Sequence, residues 1–532
     1  VDQGARSGVR PRWVWSDTAA WLPQLLAAGV RVMRCHDLRL SHAILQRSIL
    51  VPDRRALAAA IQWEAESVVP AIATAPTLFD AETVSGGSRS VPHDLDPALE
   101  EFERQQTALA AAKDPGKLRF LLAAESAGAL AAAEMEAAGV PWDAAEHDRL
   151  LEEELGPRPA RGEKPSRMLA VAEEVRAALG DPRASLDSAP KLLRALRAAG
   201  IDVKSTSRWE LAEHEHPAIA PLLHYKKLSR LHTANGWAWI DEWVREGRYR
   251  PVYVPGGVVT GRWASSGGGA LQLPRQLRPA LRADPGWTLV TADVAQLEPR
   301  VLAAMSGDRA MAAAGAAKDL YAGVVDSGAV QSRDEAKIAV LGAMYGATTG
   351  DSGRLVPRLR RSYPAAMALV DHAAALGEQG GVVSTRLGRS SPEPDNAWRE
   401  LQARASMPGA TSRDEDQARR AAREFGRFTR NFVVQGTAAE WALSWIAELR
   451  LQLAKFEPAG VPAPASGPVF ERAPHLVFFL HDEIIVHTPQ ECATEVAAAV
   501  EAAAVTAGRR LFGSAPVDFP LDLKIAERSV KD

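Results

Sequence analysis

Apolar residues recur at helical spacing from Asp17 to Gly29 and then run continuously from Val30 to Met33, which predicts a helix followed by a short strand. The stretch to about Glu66 therefore reads as a small α/β element. From about Pro70 to Pro97 the periodicity gives way to proline, glycine, serine and acidic residues, the pattern of a linker. An alanine-rich helical pattern resumes at Leu118 and stops at Gly139, placed as a C-cap glycine. Residues 156–167, rich in Pro, Gly, Arg and Lys, interrupt the helices that continue to about Gly247. They predict a helical projection with a basic tip suited to phosphates. Strands and tight turns begin at Tyr249, helices fill Ala310 to Gly380, and strands return from His475 to Thr488. This is the pattern of a sheet domain split by a helical insertion. No repeat of fixed period is present, which argues against a solenoid.

A chain of 532 residues exceeds one ordinary core, so two bodies are expected, the larger divided into lobes around a cleft. Hydrophobic residues at 46% and charged residues at 24% leave ample material for burial and no compositional case for disorder. A formal net charge of -3 excludes a uniformly basic coat but not a local one. Arginines cluster at 275, 278 and 282, at 354, 358, 360 and 361, and at 419, 420, 423, 427 and 430. Each cluster alone reads as solvated surface. Cys35 and Cys492 lie far apart without metal-ligand spacing, consistent with a reducing cytoplasm. With neither a signal-type core nor an apolar run of ~20 residues, the expectation is a soluble, non-exported protein.

Four stretches carry candidate chemistry. Trp287 to Val294 is an apolar strand that delivers Asp293 near its end before Gln296, Leu297, Glu298, Pro299 and Arg300 start a helix. His475 to His487 comprises two apolar strands with Asp482 and Glu483 where a hairpin would turn. Asp293 alone could be an N-cap, and Asp482 with Glu483 could be exposed turn residues. Together they are more specific, because carboxylates on neighbouring rigid strands are what two-metal phosphoryl transfer needs.

In the third stretch Ser332 and Glu335 form a capping-box pattern that starts a helix. Arg333, Lys337, Leu341 and Tyr345 follow at every fourth position, about 6 Å apart along one face. Two cations near a helix N-terminus suit a triphosphate, with an apolar residue for a sugar and an aromatic for a base. A plain amphipathic surface helix is the alternative. The fourth stretch places Arg427, Asn431 and Gln435 on one helical stripe, able to test base-pair geometry through the minor groove or to form a buried network.

These four stretches, in this order and at these separations, resemble the motifs of family A DNA polymerases of the bacterial DNA polymerase I type, over residues from about 126 to the C-terminus. Glu134 to Asp143 resembles the entry into the family's thumb, Thr260 to Ser266 its T-G-R-L-S-S segment, Leu271-Gln272 its L-Q-N-I-P, and Arg386 to Arg389 a fingers signature. The resemblance implies an α+β right hand of palm, fingers and thumb preceded by a small α/β exonuclease-like (ribonuclease H-like) remnant. The implied boundaries are 1–125 for the remnant, about 130–248 for the thumb, about 249–309 and 425–532 for the palm, and about 310–424 for the fingers.

By motif position the resemblance makes Asp293 and Asp482 the ligands of two Mg2+ ions, with Mn2+ able to substitute, and Glu483 the accompanying carboxylate. Lys337 takes a catalytic role and, with Arg333, binds the incoming dNTP alongside Leu341, Tyr345, Gln296 and Tyr321; Glu298 is the steric gate against a ribose 2'-hydroxyl. Arg262, Gln272, Arg427, Asn431, Gln435 and His481 contact DNA. Implied partners are primer-template DNA and dNTPs, with no membrane, for a monomer in a bacterial cytoplasm at the nucleoid. The chain departs from the family in Leu341, where an aromatic is usual, in Tyr321, where a histidine is usual, and in Trp263, where leucine is usual.

The acidic cluster of a proofreading domain is not found, since Ser41 and Gly128 stand where aspartates align, and Asp80-Ala81-Glu82-Thr83 matches D-x-E-T only by coincidence. Proofreading is therefore expected to be absent, and no 5'-nuclease region is expected either. The other readings are a catalytically inactive primer-template scaffold and an enzyme like the single-subunit RNA polymerases. Glu298 and the His481-Asp482-Glu483 triplet favour the DNA enzyme.

Overall fold

The computed structural model describes residues 11–64, 91–267, 269, 273–346 and 350–529. Most of the linker expected from about 70 to 97, with Asp80 to Thr83 inside it, lies outside the described residues. So do Leu271 and Gln272.

The chain divides into two compact units, one of residues 1–140, 251–271 and 284–527, the other of residues 141–250, 272–283 and 528–532. In the first, β1 (Trp13–Trp15) and β2 (Cys35–Asp37) pair in parallel, and α1 (Thr18–Ala27) connects them. The strand expected over Val30 to Met33 forms a few residues later. Val32 is buried among Trp15, Leu22 and Leu26, yet it is Cys35 to Asp37 that pair with β1. Asp37 explains the register. Its Oδ2 accepts the Thr18 N–H at 2.7 Å and hydroxyl at 2.6 Å, while its Oδ1 caps α2 (Leu38–Arg47) through the Leu40 N–H at 2.9 Å. Helix α3 (Leu95–Ala110) packs on α2, and α4 (Pro115–Ala138) runs unbroken across residue 125 to Gly139, whose φ of +68° and N–H bond to Met135 O end it.

The second unit is helical. In it α5 (Ala144–Leu155), α6 (Ser166–Leu179), α7 (Ala189–Ala198) and α8 (Ile219–Asn235) bury one core through residues such as Leu151, Val175, Leu192 and Leu222. Residues 156–165 between α5 and α6 carry no regular structure, as their composition predicts.

Back in the first unit, β3 (Val252–Val254) and β4 (Ala264–Gly267) form a ribbon around the Thr260-Gly261-Arg262 turn. The central sheet follows from β5 (Trp287–Val294), β6 (His475–Leu480), β7 (Glu483–Pro489) and β8 (Leu521–Ala526), all antiparallel in the order β8-β5-β7-β6. Its middle strands are buried on both faces, which is why they read as continuous apolar runs instead of alternating ones. Between β5 and β6 the chain forms α9 (Leu297–Ser306), α10 (Leu320–Asp326), α11 (Arg333–Tyr345), α12 (Pro364–Glu378) and the 42-residue α13 (Ser412–Leu453); α14 (Ala493–Phe512) joins β7 to β8. Helix α13 packs on α4, α12 and α14, so one long element carries both the sheet body and the helical insertion.

Candidate active site

Strand β5 brings Asp293 level with Glu483 on β7 and Asp522 on β8, while the Val294 N–H donates to Asp482 O at 2.9 Å. Asp293 and Asp482 thus sit on adjacent, hydrogen-bonded strand ends. Asp293 is not an N-cap, because α9 is capped three residues later at Gln296. Asp482 does occupy the hairpin turn, with His481 before it at φ +55°, a conformation histidine tolerates better than β-branched residues. Glu483 is not a turn residue; it is the first residue of β7 and is buried. The two aspartates remain partly exposed, whereas Glu483 does not.

Gln296, at φ +49°, accepts the Leu320 N–H at 3.1 Å and so links the β5–α9 corner to the start of α10. Arg300, one turn into α9 and fully buried, donates to the carbonyls of Ala295, Gly315, Ala317, Lys318 and Asp518 at 2.6–3.0 Å. It is a clamp that the sequence reading did not assign. A buried arginine beside the Asp293 strand was the available signal, but its partners are backbone atoms of loops distant in sequence.

Glu298, in the first turn of α9, accepts the Tyr345 hydroxyl at 2.6 Å and pairs with Arg262. The structure therefore brings together Arg262, Glu298 and Tyr345. Burial, then the Glu298 carboxylate, raises the Tyr345 phenol far above its ordinary value; the same causes raise Tyr321. Burial and the Arg262 charge push the His481 imidazole down to about 3, so it is neutral at physiological pH. On α11, Ser332 caps the helix through the Glu335 N–H at 3.2 Å, while the Glu335 carboxylate returns to Gln331 N–H at 2.9 Å, one residue before the expected box. Arg333 and Lys337 are exposed and Leu341 and Tyr345 half-buried, so the predicted face exists. Arg333 donates through Nε to Asp319 at 2.6 Å and lies 5.7 Å from the Tyr321 ring centroid.

On α13, Arg427 is exposed and Asn431 and Gln435 are half-buried, leaving the stripe open. Close approaches fix that helix. A Cβ on Gly436 would stand 2.5 Å from Thr385 Cγ2 and 3.0 Å from Thr260 O, so α13 lies directly against the turn that carries Arg262. Arg430, unassigned by sequence, reaches Ala343 O at 2.5 Å and Asp371 at 2.6 Å, tying α13 to α11 and α12. Trp263 is buried, with its ring edge-on to Phe479 at 4.8 Å and Tyr253 at 5.4 Å, so its bulk packs against the β6–β7 hairpin.

Among the described residues no group of three or more His, Cys, Asp or Glu is arranged to hold a metal. Two partly exposed aspartates are nevertheless a donor set that fits magnesium, which is commonly held by one or two carboxylates with water and substrate phosphates completing the shell. No helix of the described residues is long and apolar enough to cross a membrane.

Residues 189–527 match the model of DNA polymerase family A. The chain is 26% identical over 341 residues to the thermostable DNA polymerase I of Thermus filiformis, covering 58% of this chain and 36% of that protein. It is 29% identical over 340 residues to DNA polymerase I of Chloroflexus aurantiacus, covering 58% and 32%. It thus spans about a third of the length of these relatives. In fold it is similar to the POL domain of Pol1 from M. smegmatis in complex with DNA primer-template and dNTP, with a TM-score of 0.64 at 18% identity over 81% of this chain and 74% of that one. With the family model matched from Ala189 through the central sheet to Glu527, the chain belongs to DNA polymerase family A.

Proposed function

We propose that the protein is a template-directed DNA polymerase that extends a primer 3'-hydroxyl with deoxynucleotides. The observation that carries this reading is the pairing of Asp293 with the Asp482 hairpin at the end of a buried sheet, within the family match. In the proposed reaction the primer 3'-oxygen attacks the α-phosphorus, its proton passes to solvent, and the bond to the bridging oxygen breaks to release pyrophosphate. Divalent cations held by Asp293 and Asp482, magnesium or in its place manganese, would supply Lewis-acid stabilisation of the attacking and leaving oxygens.

Arg333 and Lys337, one turn apart at the start of α11, neutralise the triphosphate. Leu341 lies under the sugar and Tyr345 near the templating base. Glu298, immobilised by Tyr345 and Arg262, fills the space a 2'-hydroxyl would need. Glu483, the buried first residue of β7 in register with Asp293, is the accompanying carboxylate. Neutral His481 and the cation Arg262 approach the primer strand, and Arg427, Asn431 and Gln435 present donors to the minor-groove acceptors common to all base pairs. The segment of residues 1–125, with Ser41 within it and Gly128 just beyond it where aspartates would be needed, serves as a scaffold without proofreading activity. The enzyme works as a monomer at the bacterial nucleoid.

The test is extension of a 5'-labelled primer on a DNA template with magnesium, with and without dNTPs. Template-dependent lengthening and an unshortened primer without dNTPs are expected. No lengthening in magnesium or manganese overturns the polymerase, and shortening without dNTPs overturns the scaffold reading.

A further inference from the structure

Arg333 is not a free surface cation. Its Nε donates to Asp319 Oδ2 at 2.6 Å, and its guanidinium lies over the Tyr321 ring. Asp319 is held in turn: it is the N-cap of α10, its Oδ1 accepting the Tyr321 N–H at 3.0 Å. One carboxylate oxygen caps a helix and the other takes Arg333. The neighbouring cation does not compete, because Lys318 Nζ lies 3.2 Å from Asp522. The loop leading to Asp319 is clamped by Arg300 through the carbonyls of Gly315, Ala317 and Lys318. A buried arginine thus fixes a loop, the loop fixes a cap, and the cap fixes the base of a second arginine.

Engagement at Nε leaves both η nitrogens outside that bond, on a side chain 55% exposed. Those two nitrogens are the part of the guanidinium that forks onto phosphate oxygens. An unrestrained arginine loses its rotamer freedom at each binding event, whereas one already held loses less. Opposing this, the Asp319 charge repels a triphosphate, so the sign of its effect is a real test.

We propose that Asp319 is a positioning residue for the incoming nucleotide: by holding Nε it presents the η nitrogens of Arg333 to the triphosphate. The inference rests on the polymerase reading and adds a residue and a direction to it.

The experiment is steady-state primer extension by the full chain with D319N, D334N, R333A and the D319N/R333A double variant. Asparagine can still cap α10, so D319N removes the anchor's charge and keeps the helix start. D334N removes a charge near the same guanidinium without touching the anchor. For D319N the expected result is a rise of about three- to tenfold in KM for dNTP, with kcat and primer-template Kd within about twofold. D334N is expected to match the wild type, and D319N is expected to add nothing in the R333A background. A lowered KM in D319N would show Asp319 to be a brake on Arg333 and overturn the proposal. The same rise in the R333A background overturns it too, since Asp319 would then act elsewhere. If D319N melts early, D319S, which also caps, takes its place with the same outcomes. Wild-type protein that fails to extend removes the polymerase reading itself, whereas a working wild type with a flat cycle removes only this inference.

Discussion

Replacing Glu298 by alanine and by glutamine separates two ways in which the residue could exclude ribonucleotides. Glu298 is held by the Tyr345 hydroxyl at 2.6 Å and by Arg262, and only a tenth of its side chain is exposed. Alanine removes both contacts and the volume; glutamine keeps the volume and one acceptor but not the charge. In E298A the lost charge-assisted hydrogen bond contributes about 1.5–3 kcal/mol, and the partly screened Arg262 pair adds about 1 kcal/mol or less. The variant should therefore lose about 2–4 kcal/mol of stability, read as a lower urea midpoint at unchanged slope. If the carboxylate acts by filling space, forcing a 2'-hydroxyl against it costs about 1–3 kcal/mol, a roughly 5- to 150-fold preference for dNTP over rNTP. E298A should lose most of that preference and E298Q should keep it. The assay is single-nucleotide insertion of dCTP and rCTP opposite template guanine, compared as kcat/KM. Equal loss of discrimination in E298Q and E298A would refute the volume argument in favour of charge, and full discrimination in E298A would remove Glu298 from sugar selection altogether.

Three further outcomes follow from the same geometry. Asp482→Ala should lower extension by more than about 10³-fold, since several kcal/mol of charge stabilisation are lost, while gel-shift affinity for primer-template stays near wild type; retained extension would refute the assignment. Burial raises the pKa of Glu440, which accepts from Thr385 and from Leu387 N–H, to about 7. Because the folded state favours its protonated form, its contribution to stability is complete below about pH 4.5 and is lost as pH rises through about 7, on the order of 3 kcal/mol in all. E440Q should flatten the fall in urea-unfolding free energy between pH 5 and 8, and parallel profiles for the two proteins would contradict this. Gly436→Ala should destabilise by about 1–3 kcal/mol and also slow extension, because its Cβ would push on Thr260 O beside Arg262; a silent substitution would show that α13 can shift freely.

What the residues disclosed, and what they withheld, divides along physical lines. Apolar strand runs at 287–294 and 475–488 were legible because two-sided burial leaves no polar positions to break them. The α11 face was legible because its four residues are regularly spaced on one helix. The strand near Val32 was misplaced by a few residues because hydrophobicity marks burial, while pairing was decided by Asp37, a residue whose partners Thr18 and Leu40 lie on two different helices.

The contacts that tie distant elements of the fold together belong to a third class. Glu125 meets Arg389 at 2.5 Å across 264 residues, and Glu134 meets Arg450 at 2.6 Å across 316. Arg300 spends its donors on carbonyls, which every residue possesses. No spacing rule identifies such partners, since each side chain alone reads as an ordinary surface charge. Yet removing one member of a buried pair strands the other at a cost of about 3–5 kcal/mol, as large as any single effect at the aspartates. The side chains proposed to meet the substrate were thus readable from motif and periodicity. Those that decide whether the reacting groups stand where the chemistry needs them emerged only when the fold had brought distant segments together.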